Sequence, residues 1–164
     1  MHADDVILIS VDDHIAEPAD MFDAHVPAKY KSYAPRVVVE PDGVEQWYYG
    51  DIRGRNLGLN AVAGKPREMY NVDVLRYDEM RPGCYDVHAR VQDMDLAGVW
   101  ASVNFPSMIA GFCGRVFAHA KDAEVGKACV RAWNDWIHDE WYREHPDRII
   151  PFGGVNPLLG LDLA

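Results

Sequence analysis

An aspartate and a histidine two positions apart are the residues of this sequence best suited to bind a metal ion. Asp12 and His14 follow the apolar run Val6–Val11. On an extended segment, residues i and i+2 point to the same side, so this pair would offer one carboxylate oxygen and one imidazole nitrogen together. Both atoms are ordinary ligands of divalent metals. The spacing predicts a metal site; the alternative is that Asp12 and Asp13 cap a turn and His14 is a polar loop residue.

Three further residues are candidates for substrate binding. Glu17 follows the Asp12–His14 pair closely, where it would contact a substrate or support the metal ligands, although Glu-Pro is also an ordinary helix start. Phe105 and Ser107 lie at the C-terminal end of another apolar run, where they would line a pocket. Ser107 lacks the Gly-x-Ser-x-Gly turn of a nucleophilic serine, which disfavours a serine hydrolase.

Apolar strands that alternate with helices must position these side chains. Strands are predicted at 6–11, 101–106 and 148–155, the first of them buried on both faces. Within 17–31 a short helix is predicted that is interrupted at Pro27 and followed by a loop, and further helices are predicted at 86–96 before Gly98 and at 122–145 before Pro146. This order predicts parallel βαβ units and an α/β fold. Active sites of such folds lie at the C-terminal ends of strands, where the candidate residues fall.

A β-hairpin interrupts the α/β pattern. Arg36–Glu40 and Glu45–Tyr49 flank Pro41-Asp42-Gly43, whose residues favour a turn. Residues 50–83 are rich in Gly and Pro and show no sustained periodicity, which predicts a long segment with little regular structure. Together they indicate an insertion at about 33–83.

The composition limits the partners and the compartment. The chain has 16 Lys and Arg against 26 Asp and Glu, a formal charge of −10, and no basic run, which argues against nucleic-acid or membrane partners and favours a small molecule or another protein. Three cysteines without metal-type spacing predict free thiols. The N-terminus lacks the positively charged start of a signal peptide, so we expect a cytoplasmic protein.

Five motifs in order resemble the N-terminal half of the amidohydrolase-related family. This branch of the amidohydrolase superfamily includes aminocarboxymuconate-semialdehyde decarboxylase and the resorcylate decarboxylases. The similarity extends from residue 7 to residue 163. The motifs occupy 12–18, 81–86, 90–99, 105–107 and 134–136.

The resemblance implies a metal-dependent TIM barrel. Residues 1–164 would form its N-terminal portion, truncated at the C-terminus, because a whole barrel takes about 250 residues. The family's His-x-His after the first strand corresponds here to Asp12 and His14, and a carboxylate ligand widens the choice of metal to zinc or manganese. The family's other ligands would lie beyond Ala164.

The implied function is metal-assisted hydrolysis or decarboxylation of a small organic acid or cyclic amide. The alternative is a non-catalytic fragment or interaction protein of barrel ancestry, since two ligands are fewer than catalytic metal sites usually have. A partial barrel would also expose unpaired strand edges, which predicts a homo-oligomer.

Overall fold

Two small β-sheets and three α-helices make up the part of the chain that the computed structural model describes, residues 6–54, 65–70, 76–107, 109–110 and 112–154. In chain order the elements are β1 (Leu8–Ile15), α1 (Met21–His25), β2 (Arg36–Val39), β3 (Glu45–Tyr49), β4 (Ile52–Arg53), α2 (Val87–Ala97), β5 (Val99–Pro106), α3 (Ala123–Trp136) and β6 (Ile149–Pro151). One sheet is parallel with the order β1-β5-β6, and the other has the order β2-β3-β4. The predicted α/β class and parallel pairing are confirmed.

Helix α2 begins and ends where local sequence signals predict. The Asp86 carboxylate accepts the Ala89 N–H at 2.7 Å, which satisfies one free donor of the first turn. Gly98 ends the helix in a left-handed conformation, with φ of 70°, which glycine adopts without strain. β5 begins directly afterwards at Val99, two residues earlier than predicted.

The predicted helix at 122–145 is confirmed from residue 123 to residue 142, but it is not one regular helix. Helix α3 begins after Asp122, whose carboxylate accepts the Glu124 N–H at 2.9 Å, and residues 137–142 continue it as a π-helix. Residues five positions apart lie on different sides of an α-helix, but they lie on nearly the same side of a π-helix, which has more residues per turn. Trp141 is therefore buried beside Trp136, with ring centroids 5.7 Å apart. No helix in the described ranges is long and apolar enough to cross a membrane.

The prediction that the first strand is buried on both faces is wrong. β1 runs from Leu8 to Ile15, and Ile9 and Val11 are 46% and 70% exposed. Within the described chain β1 pairs only with β5, so its outer edge faces no other strand. An apolar run shows that a strand can be buried, but the burial itself depends on neighbours far away in sequence. The longer strand places Asp12 inside β1 rather than after it.

The hairpin is confirmed and carries a third strand. β2 and β3 pair antiparallel, and the short β4 adds to β3. Otherwise the described parts of 50–83 contain single 3₁₀ turns at 67–69, 77–79 and 82–84, while 55–64 and 71–75 lie outside the described residues. β3 supplies Trp47 to the core, where its ring meets that of Phe22 edge-on at 5.7 Å.

Two segments differ from the sequence prediction around the third strand. β6 covers only Ile149–Pro151 of the predicted 148–155, and Val155 lies outside the described residues. A 3₁₀ helix at 112–119, which had no helical signature in the sequence, follows β5. Its Phe117 is fully buried against Phe22, with ring centroids 5.7 Å apart, so tertiary packing stabilises this segment.

Candidate metal and substrate site

Asp12 and His14 lie side by side on β1. Asp12 Oδ1 and His14 Nε2 are 3.6 Å apart, and both residues are exposed. Two ligand atoms about 2.1 Å from one tetrahedral metal lie about 3.4 Å from each other. The structure brings the two predicted ligands to the spacing that one cation requires, and their metal-binding role stays a prediction.

The second ring nitrogen of His14 faces the backbone. Its Nδ1 lies 3.3 Å from the carbonyl oxygen of Pro106, at the end of β5. In the tautomer with its proton on Nδ1, His14 donates to that carbonyl, and Nε2, 3.6 Å from Asp12 Oδ1, is free to bind a metal. Metal-binding histidines are commonly oriented in this way. Arg90 fixes the strand here by donating to the His14 carbonyl oxygen at 2.6 Å.

The strand geometry separates Asp12 from the neighbouring Asp13. The Ser10 hydroxyl donates to Asp13 Oδ1 at 2.8 Å. The register of β1 against β5 also shifts between Ser10 and Asp13. Such irregularities change the direction of side chains next to active sites. Both aspartates lie inside β1, so neither caps a turn. Asp12 is therefore the carboxylate that shares a side with His14.

Two phenylalanine rings extend the site across the sheet. Phe105 is the register partner of His14, and their ring centroids are 5.8 Å apart. Phe152, just beyond β6, stacks at a tilt on Phe105 with centroids 4.6 Å apart. His14, Phe105 and Phe152 thus form a row of rings, which we call the aromatic row. Phe152 was not among the sequence-predicted site residues. Its place beside Phe105 depends on the pairing of β6 with β5, which the sequence does not show.

Helix α3 holds Phe152 in the aromatic row. Trp133 Nε1 donates to the Phe152 carbonyl oxygen at 3.1 Å. Asn134 bonds Gly154 twice: its amide nitrogen donates to the Gly154 carbonyl at 3.0 Å and its oxygen accepts the Gly154 N–H at 2.7 Å. The chain after β6 is therefore tied to α3 by side-chain hydrogen bonds.

Ser107 and Glu17 lie in different surroundings at the same end of the sheet. The Ser107 hydroxyl oxygen is buried and has no hydrogen-bond partner among the described residues. Glu17 is fully buried, and its Oε1 accepts the Ala110 N–H at 3.0 Å. Glu17 therefore ties the end of β1 to the segment after β5. Its contact with a substrate stays a prediction.

A partly buried tyrosine supports the same junction. The Tyr77 hydroxyl donates to the Glu17 carbonyl oxygen at 2.5 Å. Burial, together with the nearby Glu17 charge, raises the pKa of Tyr77, so its hydroxyl stays protonated and continues to donate.

The ligand set is incomplete within the part of the chain that can be described. Across those ranges, no three His, Cys, Asp or Glu side chains come close enough together to hold a metal ion. Catalytic zinc sites usually have three protein ligands. A metal bound by Asp12 and His14 would need at least one ligand from outside the described residues.

The fold is similar to that of an amidohydrolase. The crystal structure of an amidohydrolase from Mycobacterium avium subsp. paratuberculosis K-10 aligns with a TM-score of 0.64 and 20% sequence identity, covering 90% of this chain and 42% of that chain. The chain has an amidohydrolase-like α/β fold. It spans less than half the length of that neighbour, and at this identity the likeness concerns the fold alone. No protein-family model and no curated protein sequence matches it.

Proposed function

We propose that this chain is the N-terminal part of a metal-dependent (β/α)8-barrel enzyme of the amidohydrolase-related family, in the branch that contains aminocarboxymuconate-semialdehyde decarboxylase. Its reaction is hydrolysis or decarboxylation of a small organic acid or cyclic amide. The observation that carries the proposal is the Asp12–His14 pair, 3.6 Å apart near the C-terminal end of a parallel strand. The amidohydrolase-like fold supports it.

Asp12 and His14 hold a zinc or manganese ion in this proposal. The donor set fits such an ion, because the Pro106 carbonyl orients the His14 ring and leaves Nε2, 3.6 Å from Asp12 Oδ1, free to bind it. When bound, the metal supplies a Lewis acid that lowers the pKa of a water or orients a substrate carboxylate. Hydrolysis and decarboxylation both use this Lewis acid. The identity of the general base would distinguish one reaction from the other.

The neighbouring side chains shape the substrate site. Phe105 and Phe152 present apolar rings next to the ligands, which favours a substrate with a flat unsaturated body. Ser107 directly follows β5, its hydroxyl is buried without a partner among the described residues, and its contact with a substrate stays a prediction. Glu17 positions the segment after β5 through Ala110.

The proposal is tested by metal analysis of the full-length protein. Asp12→Ala and His14→Ala are each purified in zinc- and manganese-containing medium, and bound metal is measured by mass spectrometry. We expect each variant to lose the metal held by the wild type, together with turnover of aromatic acids or cyclic amides. Asp13→Ala is the matched control and should keep its metal, because Asp13 bonds Ser10 instead. Wild-type metal content and turnover in both site variants would refute the proposal.

A second candidate is a non-catalytic interaction protein that assembles as a homo-oligomer. The observation that favours it is the exposed apolar surface of Ile7, Ile9 and Val11 beside the outer edge of β1. Exposed apolar strand edges are sites of association. Size-exclusion chromatography with light scattering should then show an oligomer that Val11→Lys dissociates. A stable wild-type monomer of 18.5 kDa would exclude this candidate.

A further inference from the structure

Two histidines from distant parts of the chain place their rings together. His88 lies in the first turn of α2, and His145 lies between the π-helix and β6. His88 Nδ1 and His145 Nε2 are 2.9 Å apart, and the two ring planes are inclined at 73°. The rings therefore do not stack face to face, and the atoms that approach each other are two potential metal ligands. We call His88 and His145 the histidine pair.

The distance between the two nitrogens suits one divalent cation. Two nitrogens bound about 2.0 to 2.1 Å from a metal lie about 2.9 Å apart when they coordinate at right angles, and about 3.4 Å apart at a tetrahedral angle. The observed 2.9 Å matches the right-angled arrangement. That arrangement is typical of Cu²⁺ and Ni²⁺, and both ions bind imidazole nitrogen well.

A carboxylate next to the far nitrogen of His88 supports the same role. Without a cation, one ring of the histidine pair donates a hydrogen bond to the other. To bind a cation through Nδ1, His88 must carry its proton on Nε2, which lies 4.0 Å from Glu144 Oε2. At that distance the carboxylate favours the proton on Nε2 through its charge. A carboxylate beside the second nitrogen is a common support of metal-binding histidines.

The histidine pair is accessible to an ion, and its backbone is fixed. The His88 side chain is 60% exposed, so an ion reaches it without unfolding of the chain. The Asp86 carboxylate caps the turn that carries His88. The His145 carbonyl accepts the N–H groups of Arg148 and Ile149, both at 3.0 Å. Two anchored segments therefore present the rings, which lowers the entropy cost of binding.

The surrounding charge favours a cation over an anion. Glu144 adds a negative charge beside the histidine pair, and the whole chain carries a formal charge of −10. The arginines on either side of Glu144 in the chain are paired elsewhere: Arg143 with Asp139 and Arg148 with Asp95. Glu144 therefore keeps its charge available to a cation bound at the histidine pair.

We propose that His88 and His145 form a binding site for Cu²⁺ or Ni²⁺ that links α2 to the segment before β6. Water fills the other coordination positions, because no third His, Cys, Asp or Glu within the described ranges completes a metal site there. The site goes beyond the proposed function, since it shares no residue with the Asp12–His14 site. The two histidines are 57 positions apart, so an unfolded chain does not hold them together and the bound cation stabilises the fold.

A Cu²⁺ titration of the 164-residue chain tests the proposal. Cu²⁺ is paramagnetic, so it broadens the signals of nearby amides in nitrogen–proton correlation spectra. We expect Ala89 and Glu144, the chain neighbours of the two histidines, to broaden together at the same Cu²⁺ concentration. His88→Ala and His145→Ala should each raise that concentration at least about tenfold for both amides, because even the loss of a residue that only supports a ligand weakens metal binding about tenfold or more.

Three further variants separate cation binding from a structural role of the two rings. His145→Gln keeps a side chain that can hydrogen-bond but removes the imidazole, so it should weaken Cu²⁺ binding as His145→Ala does while its Tm in metal-free buffer stays near the wild-type value. His119→Ala removes another exposed histidine and is the matched control, which should leave the titration unchanged. His14→Ala should also leave it unchanged, because it alters only the other proposed site. Saturating Ni²⁺ should raise Tm more in the wild type than in His88→Ala.

Four results would overturn the proposal. They are a titration in which Ala89 and Glu144 do not broaden or broaden at different concentrations, an unchanged titration in His145→Gln, a loss of the response in His14→Ala, and an equal Ni²⁺ effect on Tm in the wild type and His88→Ala. A Cu²⁺-dependent dimer that His88→Ala dissociates would show instead that the ion bridges two copies of the chain.

Discussion

Replacing Asn134 by aspartate should loosen the end of β6 with almost no change in side-chain shape. In the wild type the Asn134 oxygen accepts the Gly154 N–H at 2.7 Å, and its amide nitrogen donates to the Gly154 carbonyl at 3.0 Å. Asn134→Asp keeps the acceptor but replaces the donor by a second carboxylate oxygen. That oxygen then faces the Gly154 carbonyl oxygen, so one hydrogen bond becomes a repulsion.

The expected loss follows from the burial of this contact. A hydrogen bond contributes about 0.5 to 1.5 kcal/mol net, and leaving a buried partner unsatisfied costs about 1 to 3 kcal/mol. Both hydrogen bonds are partly buried, so we expect the free energy of unfolding to fall by about 2 kcal/mol at neutral pH. For a chain of this size, that lowers Tm by about 4 to 8 °C.

The loss should also depend on pH. Protonating the carboxyl introduced by Asn134→Asp restores a donor toward the Gly154 carbonyl, so its pKa is higher in the folded state than in the unfolded state. The variant is therefore closest to wild type at low pH, and it loses stability as the pH rises through the folded pKa.

Urea unfolding followed by tryptophan fluorescence measures both effects, because Trp133 packs beside this contact. The assay compares the wild type and Asn134→Asp at pH 7 and pH 4.5. Asp135→Asn, at the exposed neighbouring position, is the control and should change stability by less than about 0.5 kcal/mol. An Asn134→Asp variant as stable as this control at pH 7, or one whose deficit does not shrink at pH 4.5, would contradict this explanation.

Three other predictions concern the cap of α2, the loop that packs against α2, and a buried thiol in α3. Asp86→Ala removes the cap on the Ala89 N–H and should lower the free energy of unfolding by about 1 kcal/mol in urea titrations, as cap removals do. Gly83→Ala would place a Cβ against Asp93 Oδ2 and 3.3 Å from the Arg90 Cα, so Asp93 must move away from its partner Arg81. Thermal unfolding should show a loss of about 1 kcal/mol, and wild-type stability would contradict the tight fit of that loop against α2. Burial raises the pKa of the Cys129 thiol to about 12, so peptide mass spectrometry should find it unalkylated by iodoacetamide at pH 8 until urea unfolds the chain.

Local signals predicted α2, α3 and the hairpin well, whereas the first predicted helix, within 17–31, is an α-helix only at Met21–His25 and is followed by a 3₁₀ helix at Ala28–Tyr33. Asp86 and Gly98 bound α2 because a cap and a left-handed stop act within a few residues. The turn residues 41–43 likewise set the hairpin. The π-helix at 137–142 was not predictable in this way, because the spacing of the apolar residues indicated one regular helix through this segment.

The candidate site likewise has some features that local sequence predicts and others that depend on packing between distant segments. The spacing of Asp12 and His14 placed two potential ligands on one side of a strand, since alternation along an extended chain is a local property. The sequence did not show that Glu17 is buried against Ala110, because that contact joins residues far apart in the chain. Nor did it indicate Phe152, whose place beside Phe105 depends on strand pairing.

The order of amino acids was enough to specify the alternation of strands and helices, the helix caps and the Asp12–His14 spacing, because each depends on backbone geometry over a few residues. Strand pairing and packing were needed to establish that β5 lies between β1 and β6 in the parallel sheet, which aspartate shares a side with His14, and that Tyr49 lines a cavity. Those features depend on contacts between segments that are distant in the chain. The exposed apolar residues of β1 illustrate the difference, since the same run would be buried if other elements packed on both faces of the strand.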